Sequence, residues 1–597
     1  MSARSINRAS IRNAERDRRR RSRRTRAGIG AAAALGAVAF AAPAAAQGSN
    51  FVVTSKLDNG DKVCDATCTI RDAVLSANAN PGPDSITFAP GLNGTITLTN
   101  GELEIRSAID VVGPGLEQVR ISGDANRNNS ADQGDSRIFY VDADVYGDPI
   151  DPVTISGLTL REGYADGIGG AIYARNAHLT LDRVLITDNV ADSDGGGLYS
   201  NYAAVTITDS TFSDNYSDSD GGAMYIDDDD PTTETTSPLV IRNSTIADNY
   251  AADDAGGVYA DDGTDTVLID HSTIADNGAG DTAGGLMLFG PRLSRAQVLD
   301  TTISGNTSDE EGGGVYVNDA YDVGAEFDNS TIAGNVSNDY GGGIFSDADE
   351  AGVILSSTIV ADNQAPNEVP NDLSQGFIDP LVGFQLGFSL VETPSDATII
   401  ESPAGSNQLG VDPRLGPLTA NGGPTRTQLI APTSPAVDAG TANALPTDQR
   451  GLPRIQEQPG ANRAGSDGTD IGAVEIPDSA LDSPAISARR TQKSKGKRIR
   501  IQVDVSAAER VDIEASGSIR AGGKVPLKPV QAVGEAGATT TLSLKPMKKR
   551  GAAKVARLLG KGRKARAAID VNLTDSAGNS AGDRLGVTLK GAPRRKR

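Results

Sequence analysis

Imidazole and thiolate chemistry is scarce in this chain: its 597 residues include two histidines and two cysteines. His178 or His271 could serve a Ser/His/Asp hydrolase, but no GxSxG elbow accompanies either. No HExxH and no CxxC occurs, which excludes zinc sites built from His and Cys. No catalytic set is assigned. Oxygen ligands are plentiful instead. Asp124, Asn126, Asn128, Ser130, Asp132 and Asp135 fall at places 1, 3, 5, 7, 9 and 12 of a twelve-residue stretch. That is the ligand spacing of a calcium loop, since calcium takes several hard oxygen ligands. Asn129 stands at place 6 where Gly is usual, and Asp135 is shorter than the usual Glu at place 12. The alternative is a polar insertion between the segments VRIS and RIFYV. Calcium is the one cofactor the sequence points to.

A second set of candidate side chains is aromatic. Tyr173, Tyr199, Tyr225, Tyr259, Met287, Tyr316 and Phe345 each follow a glycine pair and one aliphatic residue. In a strand the aliphatic residue faces inward and the next faces outward. Six rings in seven repeats would form an outward ladder, which could bind sugar by its ring faces and hydroxyls. The alternative is a structural stack under adjacent loops.

These residues need an element that repeats them. The motifs ITDN, FSDN, IADN, IADN, ISGN, IAGN and VADN end at Asn189, Asn215, Asn249, Asn277, Asn306, Asn335 and Asn363, 26 to 34 residues apart. A period near 28 with regular turn signals predicts a solenoid. Segments such as VTITDSTF (205–212) and TVLIDHSTI (266–274) alternate in period two and are rich in Val, Ile and Thr, which favours strands. The prediction is a right-handed parallel β-helix of about ten coils with two or three strands each, a rod of roughly 45–50 Å. The asparagines are expected at left-handed turn positions and in a hydrogen-bonded ladder. Asp188, Asp214, Asp248 and Asp276 should stack in one column. His271, aligned with Asn243 and Asn329, reads as a turn residue.

GGAI at 169–172 with FSDN at 212–215 resembles the repeat pair of polymorphic outer-membrane proteins, and the wider pattern resembles the pectate-lyase-like superfamily. The resemblance implies the β-helix fold. It also implies a rival function, a calcium-dependent polysaccharide lyase or hydrolase with a carboxylate cluster and an Arg or Lys base. Cys68-Thr69-Ile70-Arg71-Asp72-Ala73 resembles the CSLREA domain at the start of bacterial β-helix surface proteins. There Thr69 and Asp72 make a near capping box, and Ile70, Ala73, Val74 and Ala77 share one helical face, so a short capping helix is expected. Residues 416–475 resemble the choice-of-anchor Q domain, through Asn421 to Thr425, Ser434 to Asp438, Asp448 to Gly451 and Asp470 to Ala473.

Charge divides the chain. Residues 1–46 hold 11 Arg and 2 acids, then an Ala-rich apolar stretch and Ala44-Ala45-Ala46, the order of an export signal by the Sec or twin-arginine route. The mature protein is therefore expected outside the cytoplasm, extracellular or on the cell surface, where Cys64 and Cys68 could form a disulfide. Residues 47–488 hold 18 bases against 68 acids, which argues against nucleic acid as partner of the main domain. Residues 489–597 hold 27 bases against 8 acids, a charge that suits an anionic polymer such as an envelope polysaccharide, or the acidic body of the chain itself. The domain reading is 1–46 signal peptide, 47–125 CSLREA-like cap and first coils, 126–380 parallel β-helix repeats, 381–477 a choice-of-anchor Q-like C-terminal part of the β-helix, 478–498 basic linker, and 499–597 a basic β-sandwich of immunoglobulin-like type. No transmembrane helix is expected after the signal, and the chain is expected to act as a monomer. The function read from these features is structural, adhesive or polysaccharide-binding.

Overall fold

A computed structural model describes residues 48–591, apart from 144–150, 228–237, 262–265, 291–294, 319–323, 349–351, 366–371, 377–382, 395–396, 456–461, 478–483, 495–497, 508–509, 536 and 575–578. Residues 1–46, expected to be an export signal, and the tail Arg594 to Arg597 lie outside the described residues.

The body is a parallel β-helix. One coil shows how the sequence builds it. His178–Asp182, Leu185–Thr187, Val190–Ala191 and Leu198–Asn201 are four successive strands, each belonging to a different sheet. The four sheets have 13, 12, 7 and 10 strands. Every pairing within them is parallel, and each residue faces its counterpart one coil on, as Leu181 faces Ile207 and Ile207 faces Ile241. Period-two alternation sends Leu179 and Leu181 inward and Thr180 and Asp182 outward. The inward residues form continuous aliphatic stacks, such as Ile246, Ile274, Ile303, Ile332 and Val360, all fully buried. Burying one such side chain is worth roughly 1.5–3 kcal/mol.

One expectation needs correction: coils in the repeat region have four strands instead of two or three, and the extra ones, such as Val190–Ala191, are too short to show alternation. The longest sheet has thirteen strands, a span of about 58 Å at ~4.8 Å per strand. Its first and last strands fall outside the Asn and Gly-Gly landmarks that define the repeat.

Two polar ladders run through the coil corners. The amide of Asn189 donates to the side-chain oxygen of Asn215 at 2.8 Å, and the pattern continues through Asn249, Asn277, Asn306 and Asn335 to Asn363, which donates to Asp372 at 2.9 Å. The expected ladder therefore exists, but its asparagines do not take the left-handed conformation. The preceding residue does: Asp188, Asp214, Asp248 and Asp276 have φ of 57°, 56°, 60° and 57°. The turn needs one residue with positive φ facing water and one side chain facing the ladder, and the aspartate takes the first task. A second ladder was not foreseen. The hydroxyls of Ser210, Ser244, Ser272, Thr301, Ser330, Thr358 and Ser389 each accept the backbone N–H one coil earlier.

The helix Ile70–Ala79 closes the start of the rod. Thr69 caps it: its hydroxyl accepts from Asp72 N–H at 3.1 Å, and the Asp72 carboxylate accepts from Thr69 N–H at 3.1 Å. Ile70, Ala73, Val74 and Ala77 are its buried face, as expected. Cys64 and Cys68 are joined in a disulfide.

Residues 413–455 and 462–476 form a strap of turns and isolated bridges, laid along the twelve-strand sheet. The residues behind the choice-of-anchor likeness are its fasteners. Gln449 donates to Ser272 O at 2.8 Å and accepts from Thr302 at 2.6 Å. Gly472 N–H donates to Ser357 O at 2.8 Å. Asp470 accepts the N–H groups of Asp438 and Ile476, at 2.9 and 2.8 Å. Ile430, Ala436, Ala439 and Ile471 pack on Ile359, Ala361 and Leu390.

The C-terminal region encloses a separate core with a three-strand and a six-strand sheet. The helix Lys549–Gly560 inserts Val555 and Leu559 into that core.

Candidate functional site

The aromatic ladder is in register. Tyr140 precedes Tyr173, and Tyr199, Tyr225, Tyr259, Met287, Tyr316 and Phe345 follow residue by residue on adjacent strands. Tyr199 and Tyr225 stack at 5.3 Å between centroids, and Tyr225 and Tyr259 at 4.6 Å. The rings point away from the coil interior as expected, yet they are not exposed. Tyr199, Tyr259, Tyr316 and Phe345 are each less than a tenth exposed, and Tyr173 and Tyr225 are only partly so. The loops entering each strand fold back over them: a Cβ on Gly221 would come within 2.9 Å of Tyr225 Cβ. The hydroxyls are engaged, Tyr199 donating to Asp227 at 2.7 Å and Tyr225 to Asp261. Burial pushes the Tyr199, Tyr225 and Tyr259 phenols well above their ordinary range. Of the two readings of this column, the burial favours the structural stack over an exposed sugar platform.

The proposed calcium loop is drawn together by its own hydrogen bonds. The Asp124 carboxylate accepts the N–H groups of Asn128 and Asn129, at 3.0 and 2.8 Å. The side-chain oxygens of Asn126 and Asn128 accept the N–H two residues on, at 3.0 and 2.9 Å. Both amides donate to Asp132, and Asp135 accepts from Asp132 N–H at 3.1 Å. Ser130 is exposed. This is the geometry of a self-satisfied polar insertion.

Among the described residues, one group of carboxylates and imidazole converges closely enough to hold a metal: Asp270, His271 and Asp300. His271 has φ of 50°, so it is the turn residue expected. It is also more, because the strap closes over it. Its Nδ1 lies 2.5 Å from Asp270 and its Nε2 3.3 Å from Thr447 and 3.8 Å from Asp300. Burial works against the charged imidazole, but the Asp270 hydrogen bond and charge outweigh it and raise its pKa. Burial pushes Asp300 up to about 6, although the Arg454 guanidinium pairs with it. That buried guanidinium holds Oδ1 of Asp300 and, with Thr447 on His271, ties the cluster to the strap.

A cleft of about 710 Å³ opens between the capping helix and the first coils. It contains Arg71, Arg106 and Arg137, but each is paired, with Asp58, Glu104 and Glu102. It therefore offers no free cation to an acidic ligand.

The exposed aromatic surface lies on the seven-strand sheet. Its column runs Tyr164, Val190, Tyr216, Tyr250, Gly278, Thr307 and Val336. Tyr216 and Tyr250 are parallel within 7° at 5.9 Å, and Tyr250 is 45% exposed. Tyr250 leans over Gly278, where a Cβ would come within 3.0 Å of its Cδ2. A ring laid over a glycine turns part of its face to solvent. The Tyr216 hydroxyl donates to Asp218 at 2.7 Å, which pushes its pKa up to about 12. The expected aspartate column lies alongside. Arg161 approaches Asp188 at 3.9 Å at one end, and Arg426 of the strap approaches Asp276 at 3.3 Å at the other. Asp214 and Asp248, between them, have no ion pair among the described residues. Burial, then the charges of Asp276 and Asp214, raise the Asp248 pKa. Sequence reasoning missed these tyrosines. The signal was the residue after each ladder asparagine, which is Tyr at 216 and 250.

Residues 144–366 match the family model of a right-handed β-helix region. No curated protein matches the sequence. A solved structure, a mannuronic acid specific polysaccharide family 6 lyase from human gut microbiota, is 11% identical, covers 60% of this chain and 92% of its own, and has a TM-score of 0.24. Among the described residues no helix is long and apolar enough to cross a membrane.

Proposed function

We propose that this chain is an exported β-helix protein with an adhesive role, which binds polysaccharide on the outward face of its seven-strand sheet. The stacked pair of half-buried Tyr216 and exposed Tyr250 carries the reading. Pyranose C–H faces pack on aromatic faces, and carboxylates beside the rings accept sugar hydroxyls. Asp214 and Asp248 would repel uronates, so the ligand class is a neutral glycan. The binding contacts are short-ranged and should vary little with salt.

The test is a neutral-glycan array probed with the full chain and with Tyr216→Ala/Tyr250→Ala. The expected result is loss of affinity by about tenfold or more, which corresponds to ~1.4 kcal/mol, with the thermal midpoint nearly unchanged. Equal binding by both proteins would refute the platform. Release of unsaturated sugar products from a uronate polymer would instead favour the lyase reading.

A further inference from the structure

The C-terminal six-strand sheet is electrically polarised along its strands. In Val511–Arg520, residues Val511, Ile513, Ala515 and Ile519 face the core, which leaves Asp512, Glu514 and Arg520 outside. Across the outer face, Asp512 stands opposite Thr574, Glu514 opposite Asn572, Ser516 opposite Asp570, and Arg520 opposite Arg566. The acids lie at one end and the bases at the other. At the basic end Arg520 also stands opposite Lys524, and Lys493 opposite Lys590. All five cations are exposed.

The helix Lys549–Gly560 adds to the same end. Lys554 Nζ donates to Gly522 O at 2.8 Å, in the turn that joins Arg520 to Lys524. Its first turn holds no acid, and the capping residue, Lys548, makes no side-chain cap. Positive charge at a helix N-terminus opposes the helix dipole. Like charges facing each other across strands also cost stability. None of Arg520, Lys524, Lys548, Lys549, Arg557 and Arg566 forms an ion pair among the described residues. The sequence concentrates unneutralised charge where folding gains nothing from it.

We infer that this basic end is a docking surface for a linear anionic glycan, one with repeating carboxylate or phosphate groups. Residues 489–597 contain no Phe, Tyr or Trp, so no ring is available for stacking on bases of single-stranded nucleic acid. Val555 and Leu559 are committed to the core, so the helix has no free apolar face for a lipid surface. What remains is charge spaced along a surface, which a flexible polyanion matches by ion pairing and counterion release. The surface is separate from the tyrosine pair, and the inference stands without it.

The test is retention of the full chain on polygalacturonate and on a poly(glycerol phosphate), each with rising salt, beside neutral dextran. The two polyanions distinguish carboxylate from phosphate sources. The Arg520→Gln/Lys524→Gln/Arg566→Gln variant should elute at lower salt and bind about tenfold or more weakly at ~100 mM, with a shallower salt dependence. Its thermal midpoint should not fall, because the change removes facing like charges. A fall would pass the test to Lys549→Gln/Arg550→Gln/Arg557→Gln on the exposed helix face, with the same expected elution. A control, Arg500→Gln/Arg510→Gln/Lys545→Gln, should elute as the parent. Equal loss in the control, or unchanged elution in the variants, overturns the assignment. So does tighter binding to duplex DNA at equal salt, or salt-sensitive compaction of the chain without polymer retention.

Discussion

Two tyrosine columns lie on adjacent sheets of the same rod, and they have opposite fates. On the ten-strand sheet, Tyr199, Tyr225 and Tyr259 stack under the loops that enter their strands, and the hydroxyls of Tyr199 and Tyr225 are tied to aspartates. On the seven-strand sheet, Tyr216 is half-buried and Tyr250 exposed, and Gly278 gives Tyr250 room to lie down. Both columns pair residue by residue in register, and both carry stacked tyrosines. What differs is the chain around the ring, and that decides between a stability element and a contact surface.

The comparison can be broken most sharply at Tyr259. Tyr259→Ala removes a ring buried among Ala255, Ala283 and Met287, and should cost about 3–5 kcal/mol in denaturant unfolding. Glycan binding per folded molecule should not change. A loss of binding at full stability would reverse the roles assigned to the two columns.

A smaller effect should come from the carboxylates behind the buried column. Burial, with the charge of Asp254, pushes Asp220 up to about 8. The unfolded chain gives up this proton near the ordinary aspartate range, about pH 4. Between those values the folded state holds the extra proton, so stability falls as pH rises through the window and levels off above about 8. Asp220→Asn should match the parent near pH 4 and exceed it increasingly toward pH 9. Thermal midpoints at three pH values would show this, and a constant difference would contradict it.

The smallest effect on stability belongs to Gly278→Ala. The new methyl meets the Tyr250 ring, which must lift by a few tenths of an ångström. The expected outcome is a stability change within about 1 kcal/mol and weaker neutral-glycan binding. Unaltered binding would mean that the tilt of Tyr250 does not matter to the ligand.

Much of the rod was legible because its coils repeat side-chain chemistry. The recurrent asparagine had to serve a common partner, and that partner is the next asparagine. The glycine pairs marked entry into a strand, and their first member has φ of 68° at both Gly169 and Gly195. The capping helix was legible from Thr69 and Asp72 because capping is local. Burial of the ring ladder was not legible, since it depends on the path of loops through space. The seven-strand sheet escaped because a two-residue strand has no period. The strap escaped because Gln449 and Arg454 act on Ser272, Thr302 and Asp300, about 150 residues or more away in sequence.

The asparagine ladder has a direction, and direction bears on how such a rod can change length in evolution. Every amide donates toward the C-terminal coil, and every carbonyl receives from the coil before. A coil duplicated or deleted between Asn189 and Asn363 would leave each remaining donor with an acceptor of the same kind. For the ladder alone coil number is thus nearly neutral, but the strap's bonds to Ser272, Thr302 and Ser357 fix the number of coils beneath it. The last coil is different. Asn363 donates to the Asp372 carboxylate, which also accepts the Thr393 N–H at 2.6 Å. That aspartate is a terminator: it can be shifted to a new end, but it cannot be copied inward, because it has no amide to pass the chain of donors on.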